Sequence, residues 1–425
     1  MSIYILTTGC SINQAFGEIL RKMFSKAGLT DDPKEAKVII LNLCAVKKPT
    51  EDRGIALAKK LTQLDKKLII TGCLAESSYK RIMHEVPSAN IISTGYLLSS
   101  NPEEIISRIL QGEKIIITGI LPELDYPADR ILSNPLIGIV PIALGCTNNC
   151  TFCVDKRIWG NVRSAPMDSI VKEVRKLVRY GAKEIRLTAH DTAAYGLDKG
   201  YTLVDLLENI LKIEGNYRIR IGMASPNTLA KISNELLEIV ANDKRIYKFI
   251  HIPVQSGSNR ILRLMNRPYT IEEFKDIFKK VRRRLGPYST IATDIISAFP
   301  TETEEDHKAT IRLLEELKPD VVNLSRYGDR PLCPSSKLRP KIHSKIAKRR
   351  TRELFETIRK ISYGRNKAFI GKTLEVLFLE HRGQYAGRAN NNRLVFVKEK
   401  VKLGEFYQVK ITNVTWKALY GKLTQ

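Results

Sequence analysis

Cys146, Cys150 and Cys153, in the run GCTNNCTFC, stand in C-x3-C-x2-C spacing directly after an apolar stretch, residues 137–144. Three thiolates on one loop can each bind one corner of a [4Fe–4S] cube and leave its fourth iron without a protein ligand. A three-cysteine zinc site with a distant fourth ligand is the competing chemistry for this spacing. Three further cysteines end other apolar runs: Cys10 after IYILTTG, Cys44 after VIILNL and Cys73 after LIITG. Taken alone, such thiols are as compatible with burial in a core as with ligation. Cys333, in RPLCPSS, has no partner at ligand spacing and reads as an unligated thiol.

The elements that must carry these cysteines follow from periodicity. Residues 1–130 alternate short apolar runs (3–6, 38–43, 68–71 and 90–93) with amphipathic stretches, the rhythm of an open parallel α/β sheet. Such a sheet sends the ends of its strands to one edge, so Cys10, Cys44 and Cys73 are expected to converge. Residues 131–365 carry six strand patterns (137–144, 184–188, 218–223, 249–254, 290–296 and 321–325) separated by helical ones. That arrangement predicts a (βα)-type full or partial barrel with its site at the carboxyl ends of the strands. Residues 342–365 form a basic helix candidate. Residues 366–425 change to short alternating strands with Gly and Asn turns, which reads as a small five-stranded antiparallel β-barrel.

Composition narrows the setting. With 425 residues, two to four domains are expected. Hydrophobic residues at 43% and charged ones at 27% suit a soluble globular chain, and no apolar run reaches the roughly 18 residues of a membrane span. The start MSIYILTTGC reads as a strand rather than a secretion signal, and seven scattered cysteines do not make a disulfide framework; both point to the cytoplasm. A net charge of +25 favours a polyanionic partner, RNA or DNA first, with a merely solvated basic surface as the bland alternative.

Read in full, GCTNNCTFCVDKRIWGNVRS resembles the cluster loop of the methylthiotransferase family of radical S-adenosylmethionine (SAM) enzymes, with Lys156, Gly160, Arg163 and Ser164 after the third cysteine. The resemblance continues through EIRLTAHDTAAYG, RIRIGMASP, HIPVQSGSNRILRLMNRPYT and ATDIISAFPTETEED, and covers essentially the whole chain. It implies a first [4Fe–4S] cluster on Cys146, Cys150 and Cys153 whose open iron binds SAM and whose electron releases a 5′-deoxyadenosyl radical, chemistry that belongs to the cofactor. TTGCSINQ, NLCAVKKPTEDR and TGCLAES resemble the family's N-terminal segments, which implies a second [4Fe–4S] cluster on Cys10, Cys44 and Cys73. It also implies SAM contacts from Phe152, Ala189, Asp191, Gln255, Ser256, Ile296, Ala298 and Pro300. One departure stands out: Ala298 and Thr301 occupy places where relatives carry glycine. His251 reads as a satisfied core histidine and Trp159 as packing.

Within that family, AHDTAAYGLD, RIYKFIHIPVQSGS and ATDII look most like the branch acting on N6-threonylcarbamoyladenosine at position 37 of tRNA. The resemblance implies two SAM molecules, one as methyl donor to cluster-bound sulfur and one as radical source, together with an electron donor and a sulfur source that the sequence does not identify. Isopentenyl-adenosine in tRNA, an aspartate of a ribosomal protein, or a non-catalytic metal-containing RNA-binding role are the alternatives. The C-terminal segment resembles a TRAM barrel. From Lys367 onward it has eleven Lys or Arg against four Asp or Glu, with aromatics interleaved. Lys372, Arg382, Arg388 and Arg393 are the candidate RNA contacts, while half or more of the aromatics should be barrel core.

Overall fold

The computed structural model describes residues 2–424. Its N-terminal part is a five-stranded parallel sheet in the order β1 (Ile3–Thr7), β2 (Val38–Cys44), β3 (Lys67–Cys73), β4 (Asn90–Ile92) and β5 (Ile116–Ile117). Every residue of β2, VIILNLC, is buried, as expected for a parallel strand covered on both faces. Register places Thr7 beside Asn42 and Cys44 beside Cys73, so two of the cysteines leave the sheet as direct neighbours. Cys10 follows β1 as the N-cap of helix Ser11–Met23. Gly9 and Gly72 permit this crowding. Both have positive φ, and a Cβ would lie 2.2 Å from Cys44 Cβ at Gly9 and 2.2 Å from the Leu43 carbonyl oxygen at Gly72.

The central part places six parallel strands around a lumen: β6 (Ile137–Pro141), β9 (Glu184–Thr188), β10 (Arg218–Ile221), β11 (Phe249–His251), β12 (Thr290–Ser297) and β13 (Val321–Arg326). A short antiparallel pair, β7 (Ala143–Leu144) and β8 (Arg163–Ser164), brackets the first cysteine loop. The strands form the sheets β6-β9-β10 and β11-β12-β13, joined by bridges at Ile219–Ile246 and Met223–His251. Among the described residues β6 and β13 do not pair, so the barrel is open on one side. Amphipathic helices close its outer face. Helix Met167–Arg179 buries Ile170, Val174 and Leu177, and helix Ile271–Leu285 starts from a reciprocal capping box between Thr270 and Glu273.

The last part is a closed barrel in the order β14 (Thr373–His381), β15 (Tyr385–Ala389), β16 (Leu394–Val397), β18 (Leu419–Leu423), β17 (Phe406–Val414). Its strands are antiparallel except for the pair β16 and β18, and register shifts near Phe378 and Ile411 bend it shut. No helix among the described residues is long and apolar enough to cross a membrane.

Buried arginines fix these parts against one another. Arg130 pairs with Glu18 of the first helix and Glu173 of helix Met167–Arg179, and donates to the Ile139 carbonyl at 2.6 Å. Arg330, in the loop after β13, donates to Glu51 Oε2 at 2.7 Å and to the carbonyls of Ala45 and Val46, directly after Cys44. Arg330→Leu should therefore lower stability by about 3 kcal/mol, the lower end for breaking a buried pair, because Lys48 and Arg81 still face Glu51. A thermal melt of the variant checks this. An unchanged midpoint would show that the clamp contributes nothing.

Candidate active site

The first cysteine loop hangs from its neighbours by directional bonds rather than by apolar packing alone. Gly145 has positive φ and abuts the Asn161 carbonyl, where a Cβ would lie 1.9 Å from the oxygen. Lys156 Nζ donates to the Cys146 carbonyl and to Asn161 Oδ1, both at 2.6 Å. On the far side Thr151 is bonded to Leu264 and Met265, and Asn266 donates to the Asn149 carbonyl. Arg267 donates from Nη1 to Cys150 Sγ and from Nη2 to Ser225 Oγ, each at 3.0 Å.

The second triplet gathers at the sheet edge. The Cys44 side chain interacts with those of both Cys10 and Cys73, and Cys73 Sγ lies 3.5 Å from Asn13 Oδ1. Asn13 in turn donates to the carbonyls of Thr8 and Asn42, and Asn42 Nδ2 donates back to the Asn13 carbonyl. This closed amide exchange locks the helix carrying Cys10 to the strand carrying Cys44. The interaction with Cys44, followed by burial, pushes the Cys10 thiol up, while at Cys73 burial outweighs the lowering effect of Cys44, so metal loading at these positions releases protons.

Neither triplet is drawn together as a single tetrahedral ion requires. A tetrahedral zinc site draws its sulfurs to about 3.8 Å of one another, given Zn–S bonds of about 2.3 Å. Among the described residues neither cysteine triplet has all three sulfurs within 4.8 Å of each other. The one acidic-histidine group that close, Glu304, His307 and Glu353, is tied up in ion pairs with Arg349 and Arg350. Cys333 is fully buried beside Ala75 and Val154.

Between the triplets lies a layer that sequence reasoning missed. The Asp155 carboxylate acts electrostatically on Cys10 and Cys73 as well as on Cys146 and Cys153, and its Oδ2 accepts from Cys153 Sγ at 3.2 Å. His190 Nε2 stands 3.9 Å from Asp155 Oδ1, and its ring lies against Trp159 with centroids 5.5 Å apart. Trp159 is buried among Cys44, Cys73 and Phe16, so it is packing as expected, but packing against the N-terminal triplet. Asp155 Oδ1, His190 Nδ1 and Trp159 Nε1 are buried without a hydrogen-bond partner. Burial pushes the His190 imidazole below its ordinary value, which leaves a neutral ring with one open nitrogen. The available signal was position: Asp155 lies two residues after Cys153, and His190 lies two residues after the end of β9.

The residues proposed for SAM divide into two groups. Phe152 and Ile296 come together around Phe299, with Phe152 edge-on to Phe299 at 6.5 Å between centroids. Ala298 and Pro300 are buried on either side of Phe299, and Ala189 directly follows β9. Ala298 and Thr301 have φ of 57° and 68°, so they hold the left-handed backbone that glycine would take more easily, and the turn keeps its shape. Gln255 also has positive φ, and its carbonyl accepts from Ile296 N–H at 2.9 Å, while its side chain remains unengaged.

Asp191 and Ser256 do not belong with these as side-chain contacts. The Asp191 carboxylate accepts from Ser225 N–H, Ala193 N–H and Thr228 Oγ1, and is 2% exposed. Ser256 Oγ accepts from Ser258 N–H and is 1% exposed. Each cross-braces a turn, because a short polar side chain at a strand end bonds nearby backbone first. His251 is satisfied, as expected, by Asp294 Oδ1 at 3.1 Å, yet it lines a cavity rather than the core.

Among the RNA candidates, Arg393 is corrected outright. It is 6% exposed and bonded to Asp320 and Asn366, where it clamps the small barrel to the central one. Arg382 is exposed beside Glu380, Lys372 lies 4.6 Å over the Tyr288 ring, and Arg388 faces an interdomain cavity. Phe369 and Phe378 are barrel core, and Phe396 stacks on Tyr420 at the surface.

Comparison with known proteins agrees part by part. Residues 140–314 match the Radical SAM superfamily, residues 2–94 the uncharacterized protein family UPF0004, and residues 367–424 the TRAM domain. The chain is 38% identical to a probable threonylcarbamoyladenosine tRNA methylthiotransferase of Pyrococcus abyssi, covering 100% of this chain and 99% of the relative. A protein of the same description from Methanothermobacter thermautotrophicus is 37% identical, with 97% of each covered. A tRNA-2-methylthio-N(6)-dimethylallyladenosine synthase of Thermotoga petrophila is 34% identical over 100% of this chain and 97% of its own. Among solved structures, the radical SAM methyltransferase TsrM from Kitasatospora setae superposes with a TM-score of 0.57 at 12% identity, covering 79% of this chain and 74% of that one, a likeness of fold.

Proposed function

The chain belongs to the tRNA methylthiotransferase family of radical SAM enzymes, and from that premise we propose that it converts N6-threonylcarbamoyladenosine at position 37 of tRNA to the 2-methylthio derivative. The observation that carries the chemistry is the pair of cysteine triplets facing one buried layer of Asp155, His190 and Trp159. The observation that favours this base is that full-length archaeal relatives at 35–38% identity bear that description.

Cys146, Cys150 and Cys153 would hold a cluster that supplies radical chemistry from SAM, and Cys10, Cys44 and Cys73 would hold one that supplies the sulfur to be methylated and transferred. Carbon 2 of adenine is neither acidic nor a ready electrophile, which is why a radical route is needed. The protein's part is to hold both sites rigidly and to exclude water. Arg267 and Lys156 fix the first loop, Arg330 and the Asn13–Asn42 exchange fix the second, and Phe152, Ile296, Ala298 and Gln255 form the SAM wall. The C-terminal barrel brings tRNA.

Nucleoside mass spectrometry of total tRNA from cells lacking this gene tests the substrate. Loss of the methylthio form, with threonylcarbamoyladenosine itself retained, is the expected result. An unchanged methylthio signal would overturn the reading.

A further inference from the structure

A cavity of about 440 Å³ lies where the lumen of the central barrel meets the small C-terminal barrel, and its wall is strongly cationic. Arg186 on β9 and Arg220 on β10 are direct register partners, so two guanidiniums project side by side from adjacent strands. Arg186 is partly neutralised by Glu184, with Nε–Oε1 at 2.5 Å. Arg220 has no acidic partner among the described residues and rests 5.1 Å over the Phe249 ring. From the opposite side Arg388 donates only to the Asn392 carbonyl, at 3.3 Å, and Lys417 lies 4.7 Å over the Trp416 ring. The carboxylate in the wall, Asp320, is already shared by Arg282, Arg365 and Arg393.

Like charges placed opposite one another in a sheet are destabilising, and a half-buried guanidinium without a partner is more so. Burial, followed by the charge of Arg186, pushes Arg220 down to about 10. An anion in the cavity removes that penalty, and a planar guanidinium is suited to the two oxygens of a carboxylate or phosphate. The cavity is complete only when both barrels contribute.

We infer that this cavity is an oxyanion pocket for the tRNA substrate, with Arg186 and Arg220 on one side and Arg388 and Lys417 on the other gripping a carboxylate or phosphate group. Two parts of the tRNA carry that chemistry: the free carboxylate of a threonylcarbamoyl group, which a dimethylallyl group lacks, and the backbone phosphates. The carboxylate source rests on the substrate proposed above; the phosphate source does not.

The test uses the full chain and two anticodon stem-loops, identical except for threonylcarbamoyladenosine or plain adenosine at position 37, with binding read by fluorescence anisotropy. Arg220→Gln should weaken binding tenfold or more, and Arg220→Lys less. Loss confined to the modified RNA assigns the carboxylate. Equal loss on both RNAs, with the slope of log affinity against log salt reduced by about 0.7 to 0.9, assigns a phosphate. Arg388→Gln, on the other wall, should reproduce the pattern and serves if Arg220→Gln does not fold. Unchanged affinity for both RNAs in folded Arg220→Gln and Arg388→Gln overturns the pocket, even where tRNA from cells lacking the gene has lost the methylthio nucleoside.

Discussion

Replacing Cys146, Cys150 and Cys153 together by alanine is expected to abolish 5′-deoxyadenosine formation and to halve the iron bound after anaerobic reconstitution, from about eight to about four per chain if each site holds a [4Fe–4S] cluster. The fold should survive. Beyond the thiol contacts with Arg267 and Asp155, the loop is anchored through Thr151, Asn149 and Gly145, and the strands on either side are set by ladder bonds. Without three sulfurs there is no iron on which SAM can be reduced, so loss should be complete rather than graded. Continued SAM cleavage by the triple variant would show that the radical site lies elsewhere.

Replacing Cys10, Cys44 and Cys73 should separate the two halves of the reaction. Iron again falls by half, yet the first loop and Arg267 are untouched, so SAM cleavage in the presence of dithionite should persist while the methylthio nucleoside disappears. These thiols occupy the junction of β2, β3 and the first helix, where Cys44 and Cys73 are buried. Serine at all three positions keeps the volume and polarity closer than alanine and is the control for collapse of that junction. Undiminished product from either variant would make the N-terminal thiols structural. Both experiments use the complete chain. Truncation before the small barrel is less clean, because Leu377, Leu379 and Phe406 pack against Ala15, Ile137 and Ile139.

The convergence of Cys10, Cys44 and Cys73 was legible in the sequence because it depends on topology alone: parallel strands end on one edge, whatever their side chains do. The six central strands and the five-stranded barrel were legible for a similar reason, since period and turn chemistry are local. Individual contacts were not. Asp191 and Ser256 have the right type at the right strand end, but nearby N–H groups occupy their oxygens, and nothing in a linear run reveals that. Arg393 looked like free charge on a basic barrel because its partner Asp320 lies 73 residues away. Asp155 and His190 escaped notice because what distinguishes them is the lack of a partner in a buried place, a property of the folded chain. Ala298 and Thr301, at places where relatives carry glycine, hold a left-handed backbone at a cost of about 1 kcal/mol or more per residue, which the residue types alone do not reveal.

The most direct test of the account follows one hydrogen atom. Reconstituted full-length protein would be given SAM, a reductant and tRNA whose threonylcarbamoyladenosine at position 37 carries deuterium at carbon 2. The account predicts one deuterium in the 5′-deoxyadenosine formed with each methylthio product, and none in 5′-deoxyadenosine from the variant lacking Cys146, Cys150 and Cys153, because it forms none. Methylthio product accompanied by 5′-deoxyadenosine free of deuterium would contradict it.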